Sequence, residues 1–596
     1  MAMALSASAT LSAETYFASP SGAGDESGDS WTNAFPAANI ADILENVEEG
    51  DVIYLLEGKY TGASIRPVNG ITVIGGFAAA SQGTDLSLYN PWTNKTIFDA
   101  EGKNGATEAF IKISGEEGTV GAENPLTTLK GIVITGAVGL PQDDPANPTY
   151  CGTAFNCTRA NVLLEDVTFD GNTSWCGGVT VPASGSQFHA KHCVWSNNTN
   201  INETTAKNNF YQSVLNGRGS TDRKEYTDIV LEGCVMVNNP IKSETARNNA
   251  NYGGLMSFQD GCCNVMMVNC FADGGGLTIN QNGGMMRMGN SSYLVMAFNT
   301  FFNFNTKHAT ESKGKVISIN GNTPYFLQSN IIVDNTNGTS VTPNYTTNTV
   351  SNGNKLDIAV FTQGFSNNHG NKVPLLQSGG DNLIGGFLVA TIAKDQNGES
   401  GKVYTTNFLS EYTSDNWSAP AQGDVFAGTT TAKDGRYYIL PKDSYKDVNT
   451  AEAVELFNSY EELLGSYAAT TGATFTSQLP KDYFKFAKVD VSLDLFGNKR
   501  AATTYRGAYD PNATAVVDPG TGVASVFTTD ATMRAIAMGN GNFRIEGAEG
   551  VAEVYDIAGR KVMATSIAAG DEVALGNAPA GVYFIKIGNK SAKVIK

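Results

Sequence analysis

An imperfect repeat in the middle of the chain is the feature that most limits how this sequence can fold. Each copy has an apolar strand, a turn residue at its fifth position, a second apolar strand, and then Asn or Gly. Six copies align without gaps: Val162–Asn172, Phe188–Asn198, Ile229–Asn239, Val265–Gly275, Val295–Asn305 and Phe326–Thr336. A seventh, weaker copy precedes them at Thr127–Ala137, and successive copies start 26 to 41 residues apart. A unit of this size cannot bury its apolar face alone, so successive copies must stack on one another.

Two positions of the repeat indicate how the copies stack. The fifth holds residues that tolerate the backbone of a sharp corner: Gly131, Asp166, His192, Gly233, Asn269, Asn299 and Asn330. The sixth holds small or medium, mostly apolar residues: Ile132, Val167, Cys193, Cys234, Cys270, Thr300 and Ile331. Equivalent residues of paired strands lie about 4.8 Å apart, so the sixth position forms an inward ladder. A propeller blade needs four strands and usually about 40 residues or more. The spacing therefore predicts an all-β solenoid, a parallel β-helix.

The cysteines divide into two groups. Cys193, Cys234 and Cys270 share the sixth position, and a free Cys is among the most buried residue types, so they are predicted to be stacked thiols. The others lie outside this column, and there the sequence favours disulfides while leaving their pairing open: Cys151, Cys157, Cys176, Cys262 and Cys263. Neither the eight Cys nor the four His show metal-ligand spacing, so no metal site is predicted.

The net charge of the chain restricts the kinds of partner that it can be expected to bind. The chain carries 58 acidic and 40 basic residues, a net charge of −18, and it has no run of Lys and Arg. A nucleic-acid binder needs such a basic stripe, so nucleic acid is not an expected partner. No segment has the 18 or more apolar residues that a membrane span requires. This balance favours an extracellular protein that meets neutral sugars, or acidic sugars through a local basic patch.

The first residues predict export. Residues 1–13 (MAMALSASATLSA) are apolar and small, like the end of a secretory signal peptide, with a predicted cleavage after Ala13. No positively charged segment precedes them, and a disordered Ala- and Ser-rich start is the alternative. The expected location is secreted or on the outer cell surface.

The two ends of the segment 14–510 carry a resemblance to a known family. Tyr16–Phe77, with a short helical stretch at Ile40–Val47, and DLFGNKRAATTYRGAYD (Asp494–Asp510) resemble the opening and the end of right-handed parallel β-helix proteins of the pectate-lyase-like fold, common in Bacteroidetes. The resemblance implies a right-handed parallel β-helix over 14–510, capped at its start by the helix. A second helix is predicted at Asn449–Tyr467, with Ala453, Leu456, Phe457, Tyr460 and Leu463 on the face that covers a sheet.

The tail carries a second resemblance. A Pro-, Gly- and Thr-containing linker (511–522) is followed by a segment, 523–596, with three motifs in order: VYDIAGRKV, NAPAGVYFIKI and AKVIK. Their kind and order are similar to the C-terminal sorting domain of the type IX secretion system, which implies a small β-sandwich read by that export machinery. A plain β-sandwich adhesion module is the alternative.

One short segment resembles a polysaccharide lyase. NQNGGMMRMGNSS (Asn280–Ser292) is similar to a stretch of the chondroitinase B and alginate lyase group, which implies a substrate-contacting role for Arg287. Lys313 and Lys315, like Glu311, are only loosely placed for the motifs that should follow one coil later. In a lyase, Ca²⁺ is a possible cofactor that neutralises the uronate carboxylate. The alternative is a solvated strand edge.

The insertions after Asn198 and Asn239 fall at equivalent places in adjoining units, so they are predicted to wall a groove on one side of the solenoid. Their basic and aromatic residues are candidates for binding sugar: Arg218, Arg223, Lys242, Arg247, Tyr211 and Tyr252. Asp222, Glu225 and Asp228 are carboxylates for a hydrolase, or a solvated cluster. The sequence thus predicts a glycan-binding or adhesive β-helix whose partner is a polysaccharide or cell-surface glycan. The alternative is an extracellular polysaccharide lyase or glycoside hydrolase.

Overall fold

The structure is a computed structural model, and it describes these residues: 13–62, 64–79, 88–102, 109–139, 153–174, 178–202, 214–219, 225–243, 254–259, 263–279, 284–288, 293–306, 316–319, 325–333, 360–363, 376–384, 387–394, 400–404, 425–462, 484–516, 534–539, 542–546, 548–556, 561–568, 571–575, 582–587 and 590–595. The chain divides into two compact units, Met1–Gln82 with Asn90–Thr514, and Gly83–Tyr89 with Ala515–Lys596.

The first unit is a parallel β-helix, which confirms the predicted fold class. From Thr72 onward each coil visits three sheets in the same order, and each sheet grows by adding the strand of the next coil in parallel, except for one antiparallel strand at the end of sheet 3. Sheet 1 has twelve strands, in sheet order Phe35–Pro36, Thr15–Ser19, Val52–Leu56, Thr72–Phe77, Leu126–Lys130, Asn161–Glu165, Gln187–Lys191, Thr227–Glu232, Cys263–Val268, Tyr293–Ala297, Tyr325–Gln328 and Leu376–Gly380.

Sheets 2 and 3 have ten strands each. Sheet 2 contains Gly58–Thr61, Thr96–Asp99, Ile132–Thr135, Thr168–Asp170, Val194–Ser196, Val235–Val237, Phe271–Ile279, Thr300–Thr306, Ile331–Ile332 and Leu383–Ile384. Sheet 3 contains Ile111–Ser114, Phe155–Thr158, Thr180–Ala183, Leu215–Arg218, Met256–Gln259, Met286–Met288, Ile317–Ile319, Val360–Gln363, Phe387–Lys394 and, antiparallel at the end, Ser400–Tyr404.

Large apolar side chains fill the inside of the coils. Because successive side chains of a strand point to opposite faces, each strand sends every second residue inward. Trp195 is fully buried, stacks on Phe169 at 5.4 Å, and donates from its indole nitrogen to Thr180 Oγ1 at 2.9 Å. Sheets 2 and 3 are thereby joined across the core.

The strand pairing corrects the register of the last two repeat copies. Val265 pairs with Leu294, and Leu294 pairs with Tyr325, so these copies begin one residue earlier than the ungapped alignment places them. Accordingly, the left-handed corner residues there are Phe298 (φ 54°) and Ser329 (φ 51°), not Asn299 and Asn330. The alignment was wrong because both corners are followed by Asn, which imitates the corner residue in sequence.

With this register, the sixth position is one ladder of thiols followed by amides. Cys193, Cys234 and Cys270 each donate from Sγ to a carbonyl oxygen of the preceding coil, at 3.2 to 3.3 Å. Asn299 and Asn330 donate from Nδ2 to the equivalent carbonyl oxygens, at 2.9 and 3.0 Å. Asn299 Oδ1 also accepts from the backbone N–H of Cys270 at 2.9 Å. The thiols and the amides at this corner therefore make the same hydrogen bond, to a carbonyl oxygen of the preceding coil.

A second ladder runs along the other end of sheet 2. Asn172, Asn198 and Asn239, the last residues of three predicted repeats, are almost fully buried. Asn198 Nδ2 donates to Phe169 O at 2.9 Å and to Asn239 Oδ1 at 3.0 Å, while its own Oδ1 accepts from Asn172 Nδ2 at 3.0 Å. Each amide thus satisfies polar groups on three successive coils.

The prediction of stacked thiols is confirmed, and the prediction of disulfides is wrong where it can be examined. Cys193, Cys234 and Cys270 are free and buried. Cys157 and Cys263 form no disulfide either, and both are buried in the apolar core. Cys151, Cys176 and Cys262 lie outside the described residues.

Two helices cover parts of the solenoid. Helix α1 (Ile40–Asn46) buries Ile40 and Leu44 against the first coils, as the predicted cap requires. Helix α2 (Thr450–Asn458) lies within the predicted range, and Ala453, Phe457 and the following Tyr460 pack on the outer face of sheet 1. Leu463 lies outside the described residues. Three further turns are 3₁₀ helices next to the solenoid strands, and a fourth lies near α2: Trp31–Asn33, Ala37–Asn39, Gly121–Glu123 and Asp443–Tyr445.

We call residues 425–462 and 484–516 the C-terminal arm. Besides α2, it contains two short pairings: Thr431–Lys433 with Arg436–Tyr438, and Val448–Asn449 with Thr503–Thr504. Val425, Phe426, Ile439, Leu495 and Ala508 pack on the outer face of sheet 2. The arm thus covers the later coils of sheets 1 and 2.

The motif at Asp494–Asp510 fastens the arm to a corner between sheets 1 and 2. Arg500 is buried and donates to Asn269 Oδ1 at 2.9 Å and to the carbonyl oxygens of Gly507 and Ala508 at 3.0 Å. Its guanidinium lies 4.1 Å from the centre of the Phe298 ring. Gly507 has φ +84°, and a Cβ there would lie 2.4 Å from Thr300 Oγ1, so glycine is required. The motif is structural.

The second unit is a small antiparallel β structure with its own apolar core. One sheet contains Arg534–Gly539, Asn542–Glu546 and Glu572–Ala574. The other contains Lys561–Ile567, Gly550–Asp556, Val582–Ile587 and Lys590–Ile595.

Removing one amide of the second ladder should destabilise the β-helix strongly. Asn198→Ala leaves buried donors and acceptors on the neighbouring coils unsatisfied, at about 1–3 kcal/mol each. We expect a loss of about 3 kcal/mol or more in the free energy of unfolding, measured by urea denaturation. Asn46→Ala, an exposed amide, is the control and should change it by less than about 0.5 kcal/mol. Equal losses for both would contradict the ladder's role.

The core cysteines should resist labelling in the folded protein. Burial raises the pKa of Cys157 to about 12 and the pKa of Cys234 and Cys270 well above the usual range, so the reactive thiolate is scarce. We expect a maleimide at pH 8 to leave Cys157, Cys193, Cys234, Cys263 and Cys270 unmodified until denaturant is added, as read by peptide mass spectrometry. Labelling of any of these before unfolding would contradict the burial.

Candidate functional site

The outer face of sheet 3 differs from those of sheets 1 and 2. The described apolar contacts of the C-terminal arm are with sheets 1 and 2. Sheet 3 instead presents a column of polar side chains, one per coil, which we call the outer column of sheet 3: Asn156, Asn216, Ser257, Arg287 and Ser318, interrupted by Val181 between the first two. The flanking residues of each strand, such as Met286 and Met288, point into the core.

The outer column is polar yet well buried. Asn216, Ser257 and Ser318 are fully buried, and Arg287 is 9 % exposed. The pairing fixes their order, since Asn216 lies beside Ser257, which lies beside Arg287, which lies beside Ser318. Adjacent strands are about 4.8 Å apart. The column is therefore a straight row of hydrogen-bonding groups parallel to the solenoid axis.

Charge distinguishes this sheet as well. Every charged residue in its described strands is basic: Lys112, Arg218, Arg287, Lys394 and Lys402. On sheet 1, by contrast, charges of both signs pair with one another, as in Lys130 Nζ to Glu165 Oε2 at 3.1 Å. In a chain of net charge −18, sheet 3 is a locally basic surface.

Two of the predicted site residues lie on this surface. Arg287 occupies the outer column, and Arg218 ends the strand that contains Asn216, on the same face. Lys242 lies in the strand Ile241–Ser243, and its side chain is outside the described part of the structure. The remaining candidates also lie outside the described residues: Arg223, Arg247, Tyr211, Tyr252, Lys313 and Lys315.

The two predicted insertions begin side by side. Thr199–Asn202 and Ile241–Ser243 form a small parallel sheet with Thr173–Ser174, in which Asn200 pairs with Ile241. These strands follow sheet 2 and precede sheet 3. The insertions therefore begin at the same place in successive coils, between sheets 2 and 3.

The carboxylates considered for hydrolysis lie at the corner between sheets 3 and 1. Glu225 is 3.6 Å from Arg159. Asp228 belongs to the sheet 1 strand Thr227–Glu232, not to the insertion, and its Oδ1 accepts from Asn264 Nδ2 at 2.7 Å. Thr227 Oγ1 donates to the carbonyl oxygen of Arg218 at 2.6 Å, which ties this corner to the basic face. Asp222 lies outside the described residues.

Asp228 is a described carboxyl whose pKa is well above its usual value. Burial raises its pKa to about 7, and the hydrogen bond from Asn264 opposes the shift only in part. At neutral pH a large share of Asp228 is therefore the neutral acid, able to donate a proton or a hydrogen bond.

The described residues do not fit a calcium site. Ca²⁺ takes six to eight oxygen ligands, largely carboxylates and carbonyls. The outer column of sheet 3 offers amides, hydroxyls and a guanidinium, and within the described residues no group of three or more His, Cys, Asp and Glu is placed to hold a metal ion.

Sequence reasoning missed the other members of the outer column of sheet 3. Asn156, Asn216, Ser257 and Ser318 lie outside the eleven-residue repeat, in short strands that follow loops of varying length. Their signal is a polar residue between two core residues, as in FNC, LNG, MSF, MRM and ISI. The pattern becomes visible only when these segments are aligned with each other.

Comparisons with known proteins add little beyond the fold. No protein-family model and no curated protein matches the chain. Among solved structures, the crystal structure of pectate lyase Pel9A aligns with 54 % of this chain and 76 % of its own, at 14 % identity and a TM-score of 0.28. A score this low says nothing about what this chain binds. Within the described residues, no helix is long and apolar enough to cross a bilayer.

The raised pKa of Asp228 should make stability depend on pH. Because the folded state holds this proton more tightly than the unfolded state, stability falls as pH rises from about 4 to about 7. Asp228→Asn keeps an acceptor for Asn264 and removes the titration. We expect the variant to melt a few degrees above the wild type at pH 8 and at the same temperature as the wild type at pH 4, as measured by calorimetry. One pKa unit is worth about 1.4 kcal/mol before solvent screening. An identical difference at both pH values would contradict this.

Proposed function

We propose that this protein is a secreted or cell-surface β-helix that binds a glycan with acidic groups on the basic face of sheet 3. The observation that carries the proposal is the all-basic charge of the described strands of this sheet, in a chain of net charge −18. A polyanion is attracted to such a surface and repelled elsewhere.

The spread of basic residues supports a linear ligand. Asn216, Ser257 and Ser318 of the outer column are fully buried, so the ligand would contact the basic side chains of this face instead. Basic residues on several coils of one sheet can contact separate units of an extended polymer. The guanidinium of Arg287 suits a carboxylate or sulfate, since it can donate two parallel hydrogen bonds.

Export forms the second part of the proposal. The apolar, small-residue stretch at residues 1–13 and the three motifs of the tail support passage out of the cell, with the type IX machinery as the partner. The tail folds into the two small sheets described above, and its motif residues Val554 and Ile585 pair in one of them.

The test is a set of charge variants on two faces. Arg218→Ala and Arg287→Ala should each weaken binding of an acidic polysaccharide, such as alginate or chondroitin sulfate, by about tenfold or more, or about 1.4 kcal/mol. Lys59→Ala is the matched control, since it removes a positive charge from the half-exposed Lys59 on sheet 2. Titration calorimetry measures the affinity, and binding should weaken as salt is added.

Folding must be checked in parallel, because Arg287 is well buried. Arg218, which is more exposed, makes the test independent of any loss of stability in Arg287→Ala. Equal affinity of Arg218→Ala, Lys59→Ala and the wild type would contradict a site on sheet 3. Binding of neutral glycans alone would contradict the acidic ligand.

A polysaccharide lyase or hydrolase is the second candidate, and Asp228 favours it. A carboxyl that holds its proton near neutral pH is what a general acid requires, and it lies at the corner next to Arg218. An assay of unsaturated product by ultraviolet absorbance, and of new reducing ends, with and without added Ca²⁺, tests it. Activity that disappears in Asp228→Asn and in Arg287→Ala would replace the binding proposal with catalysis.

A further inference from the structure

We infer that the bond between Ala13 and Glu14 is a processing site, and that its cleavage completes an ion pair inside the fold. A peptidase would hydrolyse this bond with one water molecule, leaving a carboxylate on Ala13 and a free α-amino group on Glu14. Protonated, that group becomes an ammonium that pairs with the buried carboxylate of Asp51.

Asp51 already holds the nitrogen in place. It is 2 % exposed, and its Oδ1 accepts from the Glu14 backbone nitrogen at 2.7 Å. Its Oδ2 accepts from the Glu48 backbone nitrogen at 2.8 Å. The Val52 nitrogen donates to Glu14 O at 2.9 Å, and the strand Thr15–Ser19 pairs in register with Val52–Leu56. The Glu14 nitrogen is therefore fixed beside the carboxylate before any cleavage.

The titratable groups around Asp51 are acidic, so a cation beside it would be stabilised. The titratable groups that face it are Glu14 and Tyr16 of the first strand segment and Glu48 of the turn after α1. The pKa of Tyr16 is raised to about 12 by the hydrogen bond from its hydroxyl to Glu14, by burial, and by the negative charges of Glu14, Asp51 and Glu48. Within the described residues, no Lys, Arg or His forms an ion pair with Asp51.

The energetics favour the cleaved form. A buried carboxylate without a counterion is costly, and two neutral amide donors compensate it only in part. Replacing one of them by an ammonium at the same position gives a charge-assisted bond, which is roughly twice as strong. Aspartate at this place is thus suited to an N-terminus.

The bond itself is open to a peptidase. Ala13, Glu14 and Thr15 are exposed, and the strand begins only at Thr15. A small residue before the cut is what signal-type peptidases require. The inference rests on the export part of the proposed function and is separate from glycan binding on sheet 3.

The test compares three full-length chains that differ only at the N-terminus. One keeps residues 1–13, one begins at Glu14, and one begins at Ala13, so that its ammonium lies one residue away from Asp51. Each is made with Asp51 and with Asp51→Asn. Melting temperatures are measured at pH 6.5 and pH 9.5.

We expect the chain that begins at Glu14 to melt a few degrees above the other two at pH 6.5. Pairing raises the pKa of the α-amino group above its usual value of about 7.7–8.0. The stabilisation is therefore present at low pH and disappears as pH rises through the raised value. Asp51→Asn should abolish the difference. Three identical pH profiles, or a difference that persists in Asp51→Asn, would overturn the ion pair.

Two further measurements keep the inference testable if Asp51→Asn fails to fold. An amine-reactive ester at pH 8 should label the α-amino group of the Glu14 chain several-fold more slowly than that of the Ala13 chain, and equal rates would overturn the pairing. N-terminal sequencing of the exported protein should begin at Glu14, and any other start would overturn the processing site. Neither result depends on whether glycan binds.

Discussion

Hydrogen bonding from one coil to the next is the interaction on which the rest of the structure depends. A solenoid has no single compact core, so each coil must satisfy its polar groups through its neighbours. At the corners, where strands end, buried side chains do this. Asn198 bonds to the coils on both sides, and Cys234 donates to Ala190 O in the equivalent way at the other corner. Rigid, evenly spaced sheets are the result.

This regularity decides where function can lie. The C-terminal arm packs its apolar residues on the outer faces of sheets 1 and 2, and Arg500 holds it to Asn269 at the corner between these sheets. Sheet 3 is the face on which polar groups recur coil after coil, from Asn216 to Ser318, beside the places where the long insertions begin. A structural column inside and a polar column outside therefore share one spacing.

The repeat, the fold class, the capping helix and the stacked thiols were predictable because each depends on local pattern. The register after Val265 was not, since Phe298 occupies a left-handed corner that Asn usually takes, and only strand pairing reveals it. Cys157 was predicted to form a disulfide because it lies outside the repeat position that holds Cys193, Cys234 and Cys270, so its burial in the core was not visible in the sequence. Of the site, Arg287 was found through a resemblance, whereas Ser257 and Ser318 lie in strands too short to show a period.

The sequence by itself determined that the chain stacks into a parallel β-helix, since a recurring apolar pattern with corner residues allows little else. It also determined the net acidity. Only the tertiary structure decided which residues share a face. Asn216, Ser257 and Arg287 are 41 and 30 residues apart along the chain and become neighbours because coils of unequal length close onto one register. Backbone pairing sets that register, and loop length is free to vary.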